Sequence, residues 1–155
     1  MRRVAKLSPF VVALTVSLLA AAAGAADLPA ATRDALSTSK YVYIASSRKD
    51  GKLSKPAEIW FMYRDGAVYV ASPPTTWRVR RLKAGRTQAR IAVGKADGPS
   101  FTATGTIVNE PAAQAALLET YAKKYPDGWA QFEEKFRNGF KDGSRVLIKY
   151  TPSGT

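Results

Sequence analysis

The residues best suited to chemistry lie in one short stretch with the sequence SPPTTWRVRRL. Hydroxyls come first, at Ser72, Thr75 and Thr76, and arginines follow at Arg78 and Arg81. The pattern predicts a hydroxyl-rich loop that opens into a helix with Thr75 or Thr76 at its N-cap. Free N–H groups at a helix N-terminus and the two-pronged guanidinium of arginine both suit phosphate. We therefore expect this stretch to bind a phosphate group.

The same arginines also fit an ordinary surface helix. Arg78, Arg80, Arg81 and Lys83 could together form a solvated face, which is the usual role of a run of charges. Arg78, however, falls in the first turn, where a positive charge opposes the helix dipole and is costly without an anion. That cost favours phosphate binding over a purely solvated face.

The segments around this stretch predict an antiparallel sheet with a few helices. Alternation and β-branched or aromatic content predict strands at residues 41–47, 57–63, 67–72, 88–93, 101–108 and 145–150. Helices are expected at residues 32–39, 75–84, 112–124 and 129–140, the last two separated by a break at Pro126-Asp127-Gly128. Asp-Gly pairs at residues 50–51 and 65–66 are typical of hairpin turns. The order predicts an α+β fold, mainly β with peripheral helices, in which about six antiparallel strands form a small barrel.

Two tryptophan-bearing segments have alternative interpretations. Neighbouring residues of a strand point to opposite faces, so one of Trp60 and Phe61 must lie in the core. We expect Phe61 inside, with Trp60 bordering a cofactor or a dimer partner. Trp129 could stack on a substrate as part of a lid, or it could anchor two helices, and we favour the anchor.

The first residues, 1–26, have the three-part pattern of a secretory signal peptide. A basic start precedes an apolar run at residues 10–23 and small residues around Ala25 and Ala26. The apolar run has only 14 residues, against the roughly 20 that a membrane-spanning helix needs. We therefore expect cleavage after Ala25 or Ala26 rather than an uncleaved anchor. Arg2-Arg3 leaves a twin-arginine export route open, although an ordinary basic start is favoured.

Cleavage would leave residues 27–155 as one periplasmic or secreted domain without stable membrane insertion. Its net charge would fall from +12 to +9 with the loss of three cations and no acidic group. This charge favours anionic partners such as phosphorylated ligands. Nucleic acid is not expected, because the chain is exported and has no basic–aromatic recognition motif. The chain has no Cys and no His, which excludes disulfides, thiol nucleophiles, His-based triads and the usual zinc ligands.

The ordered series of segments resembles the flavin-binding split barrels related to pyridoxamine phosphate oxidase, including their deazaflavin-dependent relatives. The residues that carry the resemblance are, in order, YVYIASSRKDGK, IWFMYRDG, VYVAS, TTWRVRRLK, ARIAV and DGPSFTATGTIV. The resemblance covers roughly residues 36–150. No single motif is diagnostic, and the strength of the resemblance lies in the order of the segments.

The resemblance implies a site, a cofactor and an oligomeric state. The cofactor phosphate would be held by the loop and helix after the third strand, here Ser72, Thr75, Thr76, Arg78 and Arg81. The flavin ring would lie against the second strand, here Ile59, Trp60 and Phe61, largely through backbone contacts. The active unit would be a homodimer with each cofactor at the subunit interface, and the cofactor would be FMN or, alternatively, a deazaflavin.

Three departures from the family pattern bear on this site. Glu58 stands where many relatives have proline, and it would disfavour an anionic ring system if it faced the cofactor. Arg78 stands where lysine is frequent, which keeps the charge but changes the geometry. The loop contains Pro73-Pro74 and is therefore stiffer than a glycine-rich version.

The leading functional hypothesis is an exported FMN-dependent oxidoreductase that transfers hydride to or from an unknown small-molecule substrate. Because the cofactor supplies redox chemistry, the lack of an acid–base pair argues neither for nor against an enzyme. The alternative is a non-enzymatic periplasmic ligand-binding split barrel that has lost flavin, since free FMN is scarce outside the cytoplasm. A heme-binding split barrel ranks last, because without histidine the iron would need tyrosine or another ligand.

Overall fold

One antiparallel sheet dominates the computed structural model, which describes residues 26–153. Within these residues the strands are β1 (Val42–Ser46), β2 (Ala57–Ile59), β3 (Met62–Arg64), β4 (Ala67–Ser72), β5 (Gln88–Val93), β6 (Ser100–Val108) and β7 (Val146–Pro152). The helices are α1 (Ala30–Thr38), α2 (Trp77–Lys83), α3 (Pro111–Lys124) and α4 (Pro126–Asp142). Apart from Ala26, the predicted signal peptide lies outside the described residues.

The sheet must curl into a barrel, and a short crossover shows why. The strand order is β2-β1-β5-β6-β7-β4-β3, so β2 and β3 lie at opposite edges of the sheet. Only Trp60 and Phe61 separate these two strands along the chain. Three peptide steps of about 3.8 Å span at most about 11 Å, so the two edges must come together. The expected α+β split barrel is confirmed.

The crossover also corrects one prediction, since residues 57–63 form two strands rather than one and the sheet has seven strands instead of about six. At the crossover the chain leaves one edge for the other, so Trp60 and Phe61 belong to neither strand. Their backbone groups bond to tyrosine side chains instead: Tyr121 Oη donates to the Trp60 carbonyl at 2.7 Å, and the Phe61 N–H donates to Tyr125 Oη at 3.0 Å.

The core has two parts, one on each face of the curled sheet. The barrel interior contains Phe61, Val79 and Tyr150, and Phe61 is fully buried there as expected. A second cluster fills the space between the outer face of the sheet and helices α3 and α4. Trp129 belongs to this outer cluster, with its ring 6.3 Å from Tyr121 and 5.9 Å from Phe136 between centroids. The prediction that Trp129 anchors two helices is confirmed.

Helix boundaries follow local sequence signals with one exception. Thr76 is the N-cap of α2, as predicted. Pro126 ends α3 as expected, but α4 begins at Pro126 and not at Trp129. Proline is favoured in the first helical turn because its missing N–H has no intrahelical partner there. Between residues 26 and 153, no helix is both long and apolar enough to cross a membrane.

Candidate functional site

Two cavities meet at the start of α2. The first, named here the aromatic cavity, has a volume of about 400 Å³ and lies between the crossover, the end of β4 and helix α4. The second, named the polar cavity, has a volume of about 360 Å³ and lies between β1, the β1–β2 connection and α2. Thr76 and Arg78 border both cavities. The two cavities are therefore adjacent parts of one candidate site.

The aromatic cavity has walls of flat rings. Trp60 stacks on Tyr125 with centroids 4.3 Å apart and an interplanar angle of 5°. Phe136 is nearly parallel to Trp60 at 6.2 Å, and Phe132 meets its edge at 5.9 Å. Both phenylalanines project from α4, which has a strongly apolar face. A planar, largely apolar group would be well matched to these walls.

The polar cavity carries hydroxyls and cations. Ser46, Ser54, Lys55 and Arg81 line it. The Arg81 Nη1 group donates to Ser46 Oγ at 2.7 Å, and Ser54 Oγ accepts from the Ser46 N–H at 3.1 Å. Positive groups beside hydroxyls suit an anionic group such as phosphate.

Arg78 joins the two cavities and carries an uncompensated charge. Its Nη1 group donates to Ser72 Oγ at 3.1 Å, and Ser72 is itself 1% exposed. Among residues 26–153 no carboxylate lies within 4.0 Å of this guanidinium. Burial lowers the pKa of Arg78, which reflects the cost of keeping the charge there. Arg80 and Lys83 are exposed, so the solvated-face interpretation fits them and not Arg78.

Besides Arg78, the aromatic cavity is bordered by the titratable groups of Glu58, Tyr121 and Arg145. Glu58 is exposed and accepts a hydrogen bond from the Tyr43 hydroxyl. Burial raises the pKa of Tyr121, and the positive charges of Arg78 and Arg145 partly oppose that rise. Tyr121 donates to the Trp60 carbonyl and so holds the crossover in place. Its raised pKa keeps the hydroxyl protonated at neutral pH.

The structure brings most of the sequence-predicted residues together. The aromatic cavity is bordered by five of them, Ile59, Trp60, Ser72, Thr76 and Arg78. Arg81 borders the polar cavity. Thr75 is exposed and lines neither cavity.

Phe61 is placed differently from the rest, because its side chain points into the barrel interior. Its N–H donates to Tyr125 Oη at 3.0 Å, and its carbonyl lies 3.4 Å from Lys124 Nζ. The Trp60 carbonyl is also engaged, by Tyr121. Contact with a ligand at the crossover therefore falls to the side chains of Ile59 and Trp60 more than to the backbone.

Several cavity residues were not predicted as site residues. Phe132 and Phe136 have a helical spacing of four, and together with Trp129 this spacing could have pointed to a shared aromatic face. Arg145 lies just before β7 and has no local signal in the sequence. It reaches the aromatic cavity only through the packing of α4 against the end of the sheet.

In sequence, no protein-family model matches this chain and no curated protein matches it.

Solved structures, in contrast, share its fold. A protein related to general stress protein 26, of the pyridoxinephosphate oxidase family and from Clostridium acetobutylicum, matches with a TM-score of 0.56 and 17% identity over 79% of this chain and 81% of that one. The heme storage protein HutZ from Vibrio cholerae matches with a TM-score of 0.59 and 11% identity over 81% of this chain and 89% of HutZ. An F420 reductase matches with a TM-score of 0.51 and 17% identity over 82% of this chain and 97% of the reductase. At these identities the match establishes the split-barrel fold.

Proposed function

We propose that this chain is an exported, homodimeric split-barrel protein that binds FMN and works as an oxidoreductase on a small molecule. The observation that carries the proposal is Arg78, whose half-buried and uncompensated guanidinium lies where a polar cavity meets an aromatic one. An elongated ligand with a flat ring at one end and a phosphate at the other would use both cavities and offset that charge.

The residues present fit such a cofactor. The phosphate would be held by Arg78 and Arg81 with hydroxyl support from Ser46 and Thr76, a donor set rich in charge-assisted hydrogen bonds. The ring would meet Trp60 and the phenylalanines of α4. These aromatic walls offer both stacking surface and shielding from water.

When bound, the flavin would supply hydride chemistry, and the protein would supply binding, orientation and exclusion of water. Tyr121 fixes the crossover by donating to the Trp60 carbonyl. The stack of Trp60 on Tyr125 then fixes the plane of the cavity wall. The rigidity of these rings is the contribution of this chain to orienting a planar ligand.

A deazaflavin is the alternative cofactor, and the similarity in fold to an F420 reductase supports including it. Titration of the purified protein with FMN and with F420 separates the two cofactors. The absorbance spectrum of the native protein and its mass in solution test bound flavin and the dimer in the same preparation.

The decisive test compares FMN with riboflavin, which has the same ring but no phosphate. The wild-type protein should prefer FMN, and Arg78→Met and Arg81→Met should each weaken FMN by about tenfold to a hundredfold, the effect of one charged hydrogen bond. Lys83→Met is the matched control, because Lys83 is an exposed cation on the same helix. Equal affinity of the wild type for FMN and riboflavin, or wild-type FMN affinity in Arg78→Met, would refute the phosphate assignment.

A second candidate function has one observation in its favour. Glu58 borders the aromatic cavity, and a carboxylate there would repel an anionic ring system. A non-enzymatic periplasmic split barrel that binds another ligand would not meet this penalty. It predicts a folded protein that binds neither FMN nor F420 in the titrations above.

A further inference from the structure

Arg145 is a second cation of the aromatic cavity that the phosphate proposal does not use. Its guanidinium lies over the Phe136 ring, with Cζ 4.2 Å from the ring centroid. Gly139 makes room for its stem, because a Cβ on that glycine would lie only 2.7 Å from Arg145 Cγ. The side chain therefore packs against α4, with its guanidinium over the Phe136 ring, and Arg145 borders the aromatic cavity.

No carboxylate compensates this charge within residues 26–153. Glu134 and Asp142 line a separate surface groove that Arg145 also borders, and Glu58 lines the aromatic cavity. None of the three comes within 4.0 Å of the guanidinium. Burial lowers the pKa of Arg145, so the charge stands at a cost that an anionic ligand would offset.

Arg78 and Arg145 have different surroundings, which gives them different roles. Both arginines border the aromatic cavity, and the charges of both oppose the rise that burial causes in the pKa of the Tyr121 hydroxyl. Arg78 also borders the polar cavity and is assigned to the phosphate, whereas Arg145 does not border it. A phosphate in the polar cavity would leave Arg145 as the free cation beside the aromatic walls.

We propose that Arg145 binds the carboxylate of a planar, unsaturated or aromatic acid, which is the substrate class of this site. Guanidinium pairs with carboxylate through two parallel hydrogen bonds, and the aromatic side chains that line the same cavity as Arg145 offer an apolar surface for a flat group. The term substrate rests on the proposed function, but binding of the acid does not.

The test is equilibrium binding of 2-naphthoate and of its neutral counterpart 2-naphthamide, measured by calorimetry with and without saturating FMN. The wild-type protein should bind the carboxylate about tenfold more tightly than the amide, as expected for one charge-assisted pair. Arg145→Met should abolish this preference and leave amide binding within about twofold. Arg145→Lys should keep part of the preference, because it keeps the charge and loses the paired geometry.

Arg137→Met is the matched control, since Arg137 is exposed on α4 and pairs with Glu133, and it should leave the preference unchanged. Equal wild-type affinity for the acid and the amide, or a preference that survives in Arg145→Met, would overturn the assignment. If FMN fails to bind while the acid preference holds, the flavin proposal fails and the Arg145 site stands. If FMN binds and the wild type shows no preference for the acid over the amide, the Arg145 assignment fails and the flavin proposal stands.

Discussion

Replacement of Tyr125 by phenylalanine tests how the barrel is held closed. Tyr125 is the single residue between α3 and α4, and it is 2% exposed. Its hydroxyl accepts from the Phe61 N–H at 3.0 Å and donates to the Lys40 carbonyl at 2.8 Å. One side chain therefore ties the helical pair to the crossover that joins both sheet edges and to the residues just before β1.

The structure gives the size of the expected effect. In Tyr125→Phe the ring remains and can still stack on Trp60, so the loss is confined to the hydroxyl. The Lys40 carbonyl belongs to an exposed residue and can turn to water at little cost. The Phe61 N–H belongs to a fully buried residue, and a buried donor left unpaired costs about 1–3 kcal/mol. We expect the free energy of unfolding to fall by about 2 kcal/mol, which in a chain of this size lowers Tm by about 8 °C.

The assay is urea and thermal unfolding followed by circular dichroism, with Tyr43→Phe as the control. The Tyr43 hydroxyl also has a partner, Glu58, but it is on the surface, so its removal should leave the unfolding midpoint nearly unchanged. Equal midpoints for Tyr125→Phe and wild type would contradict the idea that this hydroxyl holds the crossover. Tyr125→Leu should cost more than Tyr125→Phe, because it also removes the stacked ring.

Two further predictions concern a lysine and a glycine. Burial lowers the pKa of Lys124 to about 8. Between about pH 8 and pH 10 the unfolded chain therefore binds more protons at this lysine than the folded chain does. The contribution of Lys124 to the free energy of unfolding consequently rises with pH across that window. Acylation of Lys124, followed by mass spectrometry with the exposed Lys123 as internal control, should show a midpoint near pH 8; a midpoint above pH 10 would contradict it. Gly105→Ala would place a Cβ 2.7 Å from Tyr150 Cε1 and 2.9 Å from Leu82 Cδ2, and such overpacking should cost about 1–3 kcal/mol. An unchanged urea midpoint for Gly105→Ala would show that the barrel interior can relax around the added methyl group.

The sheet was readable from the sequence because its signals are local. β4 and β5 have the boundaries that alternation and β-branched content predict, residues 67–72 and 88–93. The Asp65-Gly66 turn has positive φ at both residues, 51° and 74°, which is the conformation that an Asp-Gly hairpin favours. The split of residues 57–63 was not readable, because all of these residues suit a strand. β2 pairs with β1 and β3 pairs with β4. Because β1 and β4 lie toward opposite edges of the sheet, these two pairings decide where the chain must cross.

The candidate site could likewise be predicted only where its residues are neighbours in sequence. The hydroxyls and arginines of the α2 region are neighbours in sequence, so their types and order indicate an anion site without tertiary information. The opposite wall comes from α4 and Arg145, which lie more than forty residues away along the chain. These residues come close to Trp60 because of the direction that α4 takes after Pro126. No local sequence pattern specifies that direction.

One buried polar group without a hydrogen-bond partner among residues 26–153 lies near Arg78. The Tyr150 hydroxyl is buried with no hydrogen-bond partner among the described residues, and it lies close enough to Arg78 for that charge to oppose the rise of the Tyr150 pKa to about 12. An unpaired buried hydroxyl costs about 1–3 kcal/mol, and a phenylalanine at this position would avoid that cost.

A sequence selected only for stability would also avoid a half-buried guanidinium without a carboxylate at position 78. Arg78 lies at the junction of the two cavities, and an anion bound at that junction would offset the cost of the buried charge. This reasoning supports an anionic ligand whether or not the ligand is a flavin. The case for redox chemistry depends separately on the aromatic cavity, and Glu58 is the residue there that weighs against it.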